Sequence, residues 1–405
     1  MVCFPLLPCC TRSGKQIART DLTENSDSMK KYSWNRDFLG RHVEIIELKH
    51  GKSSLVLVPA WQGRVMTSTS EGDDGLSFGW INHSLISSGK IQPHINPYGG
   101  EERLWLGPEG GQFSIFFPEG KDFIFDNWQT PAIIDTEPFK VKERNDTSVT
   151  FTADTEIKNY SGFVFSAGIE RTVTVITDKV PEGFSPAAGS SLNVVAYRSV
   201  NKLTNTGTTK WKKETGLLSV WMLGMFNPSP AVTVVIPVRE SGSSGSGPKV
   251  NDKYFGAIAP DRLKVTGSHV FFKADGRSRG KIGIPPLRTT GVMGSYDSEN
   301  NVLTLLFCNL PENVTDYVNS AWELQKDPYS GDAYNSYNDG PLEDGTQMGP
   351  FYELETSSPA AGLAPGESII HTQTTVHITG SRKNIDDVAR RILGVGLDAI
   401  ERVFR

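Results

Sequence analysis

"FYELETSSPAAGLAPGESIIHTQTTVHITG", residues 351–380, contains two runs of alternating side chains separated by a turn rich in Pro and Gly. Side chains of an extended chain alternate between faces, so Tyr352, Leu354 and Thr356 share one side while Phe351, Glu353, Glu355 and Ser357 share the other. The second run, from Ser368 to Gly380, keeps the same period of two in residues that favour strands. Two carboxylates on one face of an apolar-flanked strand are unfavourable unless they are paired or solvated in a cleft. Close together they raise one another's pKa, which suits general acid–base chemistry.

The same period recurs along the chain from about residue 40. "HVEIIELKHGKSSLVLVP" reads as a hairpin turning at His50-Gly51-Lys52, and "FKVKERNDTSVTFTAD" as another turning at Asn145-Asp146. "GVMGSYDSENNVLTLLFC" is a third hairpin, with its bend at Asp297–Asn301. "GIERTVTVIT", "NVVAYRSVNKLTN", "LLSVWMLGMF", "AVTVVIPV" and "HVFFKAD" add further strands. β structure running through the whole body predicts one large antiparallel all-β domain over residues 31–405. One helix is expected, about 384–404, with Ile385, Val388, Ala389, Ile392 and Leu393 as its apolar stripe and Asn384 as its cap. Residues 240–249, "ESGSSGSGPK", read as a flexible loop. Residues 319–350 read as a long loop without sustained period; its Trp322, Tyr329, Tyr334 and Tyr337 argue for a functional role.

Composition narrows the function classes. The 405 residues hold 41 Lys and Arg against 46 Asp and Glu, a net charge of −5, and no basic run tracks one face, so nucleic acid is excluded as a partner. Of the four cysteines only Cys308 lies in the body, inside an apolar run, which leaves no disulfide framework or thiolate metal site. The start, "MVCFPLLPCCTRSGK", resembles the end of a bacterial lipoprotein signal. Lipidation at Cys9 or Cys10 would tether the chain to a membrane in the periplasm or at the outer surface; without it the chain would be cytoplasmic. Residues 1–30 then read as signal and tether, and no later segment approaches the roughly 18 apolar residues of a membrane span.

A second constellation is "NPYGGEERLWLGPEGG", residues 96–111. In extended backbone Glu101, Arg103 and Trp105 share one face, and Glu102, Leu104 and Leu106 the other. With the leucines in the core, the first face is expected to point to a cleft or to solvent, and Gly99 and Gly100 to let backbone approach a ligand or take a positive φ. The seven histidines show no HxH or HExxH spacing, so neither metal nor cofactor is expected. His371 and His377 read as structural, and His94, beside the constellation, as a site candidate.

These segments resemble the galactose mutarotase-like superfamily. "FYELETSSPAAGLAPGESIIHTQTTVHI" is similar to its C-terminal signature, in which a strand reading L-E-T precedes an L-x-P-G-E turn and a final long strand. The resemblance places Glu355 on the glutamate that removes the anomeric hydroxyl proton, and implies an antiparallel β-supersandwich with a sugar site on a concave sheet face. "PYGGEERLW" resembles the family's H-G-G segment, with Tyr98 where a sugar-binding histidine would stand, and "VVAYRSVNKLTNTG" resembles its central strand. The family then carries a histidine as general acid on the next strand; here that strand is "LLSVWMLGMF", with Trp221 and Met222 and no histidine.

The expected ligand is therefore a mono- or oligosaccharide bound by a monomer, with acid–base chemistry at the anomeric centre. Glu355 is the expected base, with Glu101, Glu109 or Asp339 in place of the acid and Glu353 beside them. Tyr98, His94, Arg103, Arg198, Glu323, Gln325 and Asn338 are expected to contact the sugar, and Trp105, Trp221 and Trp322 to stack on it. The same carboxylates suit a glycoside hydrolase or lyase. The missing histidine motivates an alternative, a glycan-binding lipoprotein without turnover.

Overall fold

Residues 30–177, 191–240 and 248–405 are described by a computed structural model. Cys3, Cys9, Cys10, the apolar start and most of the Gly/Ser-rich loop lie outside the described residues.

Antiparallel strands dominate, as the alternating pattern predicts. A ten-stranded sheet runs in the order Leu263–Val265, His269–Lys273, Val232–Pro237, Val292–Asp297, Val302–Cys308, Ser368–Gly380, Leu192–Asn205, Val164–Val175, Ser148–Lys158 and Lys140–Arg144. A five-stranded sheet orders Gly280–Ile284, Tyr334–Asn338, Tyr352–Ser357, Ser219–Phe226 and Arg103–Gly107. A three-stranded sheet of Ile46–His50, Ser53–Val58 and Arg64–Thr69 continues the five-stranded one through a bridge between Val65 and Glu102. The two smaller sheets thus make one layer and the ten-stranded sheet the other.

Apolar side chains from both layers fill the space between. Leu104, Leu106, Val220 and Met222 meet Tyr197, Leu203, Phe165 and Val173 there. Tyr334, Leu354 and Phe226 meet Val234, Met293 and Leu306. Each fully buried aliphatic chain contributes roughly 1.5–3 kcal/mol. The strand Tyr352–Ser357 shows what the alternation does: Leu354 and Thr356 face the ten-stranded sheet, where Thr356 Oγ1 lies 2.7 Å from His371 Nε2 and donates to Gln373 Oε1 at 2.7 Å. Glu353 and Glu355 consequently occupy the outer face.

Several local expectations change. The C-terminal helix is two, Arg382–Leu393 and Leu397–Arg402, because Gly394 at φ 73° ends the first. Its cap is Ser381, whose Oγ accepts from the Asn384 N–H at 3.3 Å, rather than Asn384 itself. Helices Tyr32–His42 and His83–Ser88 also form. The first packs Phe38 and Leu39 against Val56 and Val58 despite a weakly apolar sequence. Within 319–350, "YNSYN" is a buried strand, so Tyr334 is core instead of a loop residue. Among the described residues no helix is long and apolar enough to cross a membrane.

Candidate functional site

The outer face of the five-stranded sheet carries a compact charged patch. Register sets Arg103 and Trp105 across from Leu223 and Trp221, and Glu353 and Glu355 across from Met225 and Leu223 on that strand's other side. Glu353 and Glu355 in turn face Tyr337 and Asn335, and Tyr337 faces Lys281 at the sheet's edge. Four of the five strands therefore bring two carboxylates, an arginine, a lysine and two indoles together.

Their contacts are specific. Glu355 is fully buried; its Oε2 accepts from Trp221 Nε1 at 2.9 Å and Lys281 Nζ at 3.0 Å, while its Oε1 has no partner. Glu353 Oε1 accepts from Arg103 Nη2 at 3.1 Å, and the Arg103 guanidinium lies 4.4 Å above the Trp105 ring. Arg103 Nε and Nη1 and Trp105 Nε1 are buried without partners among the described residues. Lys281 Nζ stands 4.7 Å from the Trp221 ring and 5.6 Å from the Tyr254 ring. Unpartnered buried polar atoms cost about 1–3 kcal/mol each, and sites that meet a polar ligand are where proteins keep them.

Two loops roof the patch. Glu109 follows the strand Arg103–Gly107 and is half-buried. The indoles of Trp322 and Trp128 lie close enough to its carboxyl to favour the charged form. The loops carrying Glu109 and Trp322 are fastened to each other: Gln112 Nε2 donates to the Gln325 carbonyl at 2.9 Å and Gln112 Oε1 accepts from the Gln325 N–H at 2.9 Å. Gly110 packs on the Ala321 carbonyl with no room for a side chain, since a Cβ there would lie 2.2 Å from that oxygen. On the opposite flank Tyr254 donates to Asp332 Oδ2 at 2.6 Å and receives a bond from Asn335 Nδ2 at 3.2 Å.

Burial and charge pull these groups apart in acidity. Burial raises Glu353 to about 7, with Arg103 opposing and Glu355 adding to the rise. Glu109 is raised by burial and further by Glu355, although Lys281 and the two indoles pull the other way. Burial alone would lower Lys281, but Glu355, Glu109 and Glu353 together hold it above the usual lysine value. Asp332 is pushed up to about 6 by burial against the bonds from Tyr254 and Asn251.

A raised folded-state pKa has a stability consequence. The contribution of Glu353 is fully present below the unfolded value near 4.5 and is lost as pH rises through about 7. Urea midpoints measured between pH 5 and pH 8 are expected to fall in the wild type and to fall less in Glu353→Gln; parallel slopes would refute this assignment.

One family matches residues 30–404. The chain belongs to the family of unknown function DUF6786. No curated protein matches the DUF6786 chain in sequence. Its fold is similar to that of the Slr1438 protein from Synechocystis sp. PCC 6803, which is 12% identical; the match covers 84% of this chain and 96% of that one at a TM-score of 0.51. A galactose mutarotase-like protein from Lactobacillus casei is 12% identical, with 83% and 100% covered and a TM-score of 0.48. A galactose mutarotase related enzyme from Lactobacillus acidophilus is 9% identical, with 84% and 97% covered and a TM-score of 0.45. At such identities the likeness concerns the fold alone.

Not every residue singled out in the DUF6786 sequence reaches the patch. Glu353, Glu355, Arg103, Trp105, Trp221, Glu109 and Trp322 converge. Glu101 does not: it lies before the strand Arg103–Gly107 begins, where side chains need not alternate, and it enters the space between the layers. There its Oε2 accepts from His377 Nε2 at 2.6 Å, Ser68 Oγ at 2.9 Å and Tyr197 Oη at 3.3 Å. Arg198 is exposed on the ten-stranded sheet, where the alternation that buries Tyr197 turns it outward.

Asp339 sits at the patch's margin, with its oxygens taken by Tyr337 Oη at 2.6 Å and the Gly349 N–H at 3.0 Å. Asn338 ties the neighbouring turn, accepting from the Gly276 N–H at 2.8 Å and donating to the Ser278 carbonyl at 2.8 Å. Gln325 serves its loop, donating to the carbonyls of Asn319 and Ala321, and Glu323 is exposed. His94 Nδ1 lies 2.6 Å from the Trp128 carbonyl and so steadies the loop bearing that indole. Tyr98 stacks on Trp61 at 4.2 Å. Among the described residues no cluster of His, Cys, Asp and Glu could hold a metal ion.

Lys281, Trp128, Tyr254, Asp332 and Arg64 were not anticipated. Lys281 had a signal: in "GKIGI" it alternates with two isoleucines that must face inward, which puts the lysine on the opposite face. The others come from loops and a distant strand, and no local pattern marks them.

Proposed function

We propose that this chain binds a saccharide on the outer face of the five-stranded sheet and moves protons at its anomeric centre. One observation carries the reading: Glu355 has one oxygen fixed by Trp221 and Lys281 and the other unpartnered, with a second carboxyl of raised pKa, Glu109, close enough to feel its charge. A carboxyl kept protonated by burial beside a second carboxyl with an open oxygen is the arrangement that lets one act as acid and the other as base.

In this scheme Glu355 Oε1 accepts the anomeric hydroxyl proton while Glu109, protonated, gives its proton to the ring oxygen. The C1–O5 bond breaks, C1 becomes an aldehyde, and rotation about C1–C2 followed by reclosure inverts the anomeric configuration with both protons returned. Lys281 and Trp221 hold the base in place, and Arg103 with the indoles of Trp105 and Trp322 orient the ring. Glu109 thus fills the chemical place of the histidine that the resembling family carries and this sequence lacks. Glycan binding without turnover uses the same face and is separated from this reading by rate alone.

The test is exchange-rate NMR or polarimetry on freshly dissolved sugars with the wild type and Glu109→Gln. Acceleration of anomer interconversion by the wild type, reduced roughly 10²-fold or more in the variant, is expected. Loss of the rate as pH rises in the wild type should disappear from the residual activity of the variant, since deprotonation of Glu109, whose pKa burial raises, causes it. Saccharide binding with no acceleration by the wild type selects the non-catalytic reading.

A further inference from the structure

Beside the carboxylates lies a second anomaly, one of positive charge. Arg64 opens the strand Arg64–Thr69, and the Val65–Glu102 bridge sets it next to Arg103. Val65 enters the core, so Arg64 turns to the outer face. It is fully buried and forms an ion pair with no carboxylate among the described residues. Its Nη1 donates to the Gly99 carbonyl at 3.0 Å and its Nη2 to Gln62 Oε1 at 3.4 Å, while Nε has no partner.

The fold makes room for this side chain. A Cβ on Gly100, which stands at φ 107°, would lie 2.8 Å from Arg64 Cδ. The guanidinium lies 5.9 Å from the Tyr98 ring, itself stacked on Trp61. Burial, and then the charge of Arg103, lower Arg64 to about 9, with Asp135 offsetting part of the fall. Arg103 offers two more N–H groups without partners, and Trp105 one. A buried charge without a counter-ion is strongly unfavourable, and two adjacent guanidiniums with unpaired N–H groups are complementary to an oxyanion.

We infer that Arg64 and Arg103, with the Trp105 N–H, receive an oxyanion carried by the saccharide: a uronate carboxylate, or a phosphate or sulfate ester. The saccharide part rests on the function proposed above; the oxyanion part rests on the arginines.

Calorimetric titration of the full chain at fixed ionic strength provides the test, with D-galacturonate, D-glucuronate, D-glucose 6-phosphate, D-galactose 6-sulfate, D-galactose and D-glucose as probes. At least one charged sugar is expected to bind about ten-fold or more tightly than its neutral parent, and the arms identify which oxyanion fits. Arg64→Met should bring that ratio within about two-fold and leave the neutral sugar's affinity in place. It should also unfold at the same or a higher urea concentration, because it removes an uncompensated buried charge.

Equal affinity of charged and neutral sugars in the wild type overturns the oxyanion inference and leaves the proposed function standing. A preference retained in Arg64→Met overturns the assignment to Arg64. If no sugar binds but sulfate or acetate raises the melting temperature of the wild type and not of Arg64→Met, the oxyanion site stands and the saccharide reading falls. If neither sugars nor anions act, both fall.

Discussion

Glu355→Gln is expected to lower kcat/KM for anomer interconversion by 10²- to 10⁴-fold, roughly the range a positioned general base supplies, with sugar affinity kept within a few-fold. The amide keeps the shape of the carboxylate and can still accept from Trp221 and Lys281, so the site retains its form. What disappears is the negative oxygen that takes the proton. Near-UV circular dichroism checks that the indoles around the residue, Trp105 and Trp221 at 5.5 Å from each other, have not moved. A variant that still accelerates interconversion at the wild-type rate removes Glu355 from the mechanism. Affinity and rate lost together with an altered spectrum would assign the residue to structure instead.

Lys281→Met should be the most destabilising change at the site. The ammonium is in contact with Glu355 and within the field of Glu109 and Glu353, and all three carboxyls are buried to some degree. Removing one partner of a buried ion pair typically costs about 3–5 kcal/mol, because the remaining charge has neither water nor counter-ion. Methionine replaces most of the volume, so the loss measures charge rather than a cavity. The double variant Lys281→Met/Glu355→Gln should recover most of the stability, and the single variant should regain ground at low pH as the carboxyls protonate. Urea denaturation at pH 5 and pH 8 reads all of this. A single variant with the wild-type midpoint at pH 8 would show that the lysine does not balance them.

The period-two pattern was enough to place most strands, because each buries one face and must alternate. Tyr352–Ser357 was legible down to its faces for the same reason: Leu354 can only go inward, so Glu353 and Glu355 go outward. Glu101 was not legible, since alternation holds only within regular extended backbone and that begins at Arg103, two residues further on. The break at Gly394 and the helix Tyr32–His42 escaped for want of contrast; the helix's apolar residues are few and its stability comes from what it packs against. Lys281 and Arg64 illustrate the larger limit. Each belongs to the site through strand order, which joins segments far apart in sequence, and a lone basic residue in a strand carries no mark of its neighbours. The antiparallel sandwich was therefore readable, while the charge balance of its outer face required knowing which strand lies beside which.

The paired glutamine contacts between Gln112 and Gln325 have a consequence for how this site can change over time. They make the loop that carries Glu109 and the loop that carries Trp322 a single transferable unit. A lineage that lengthens one loop without the other separates Glu109 from Trp322. Chimeras built by exchanging one loop with a homologue should lose function even when both parents have it, whereas exchanging the two together should carry the donor's selectivity across. Correlated variation between residues 108–115 and 319–326 is expected among homologues, and an alignment showing the two segments varying independently would refute it.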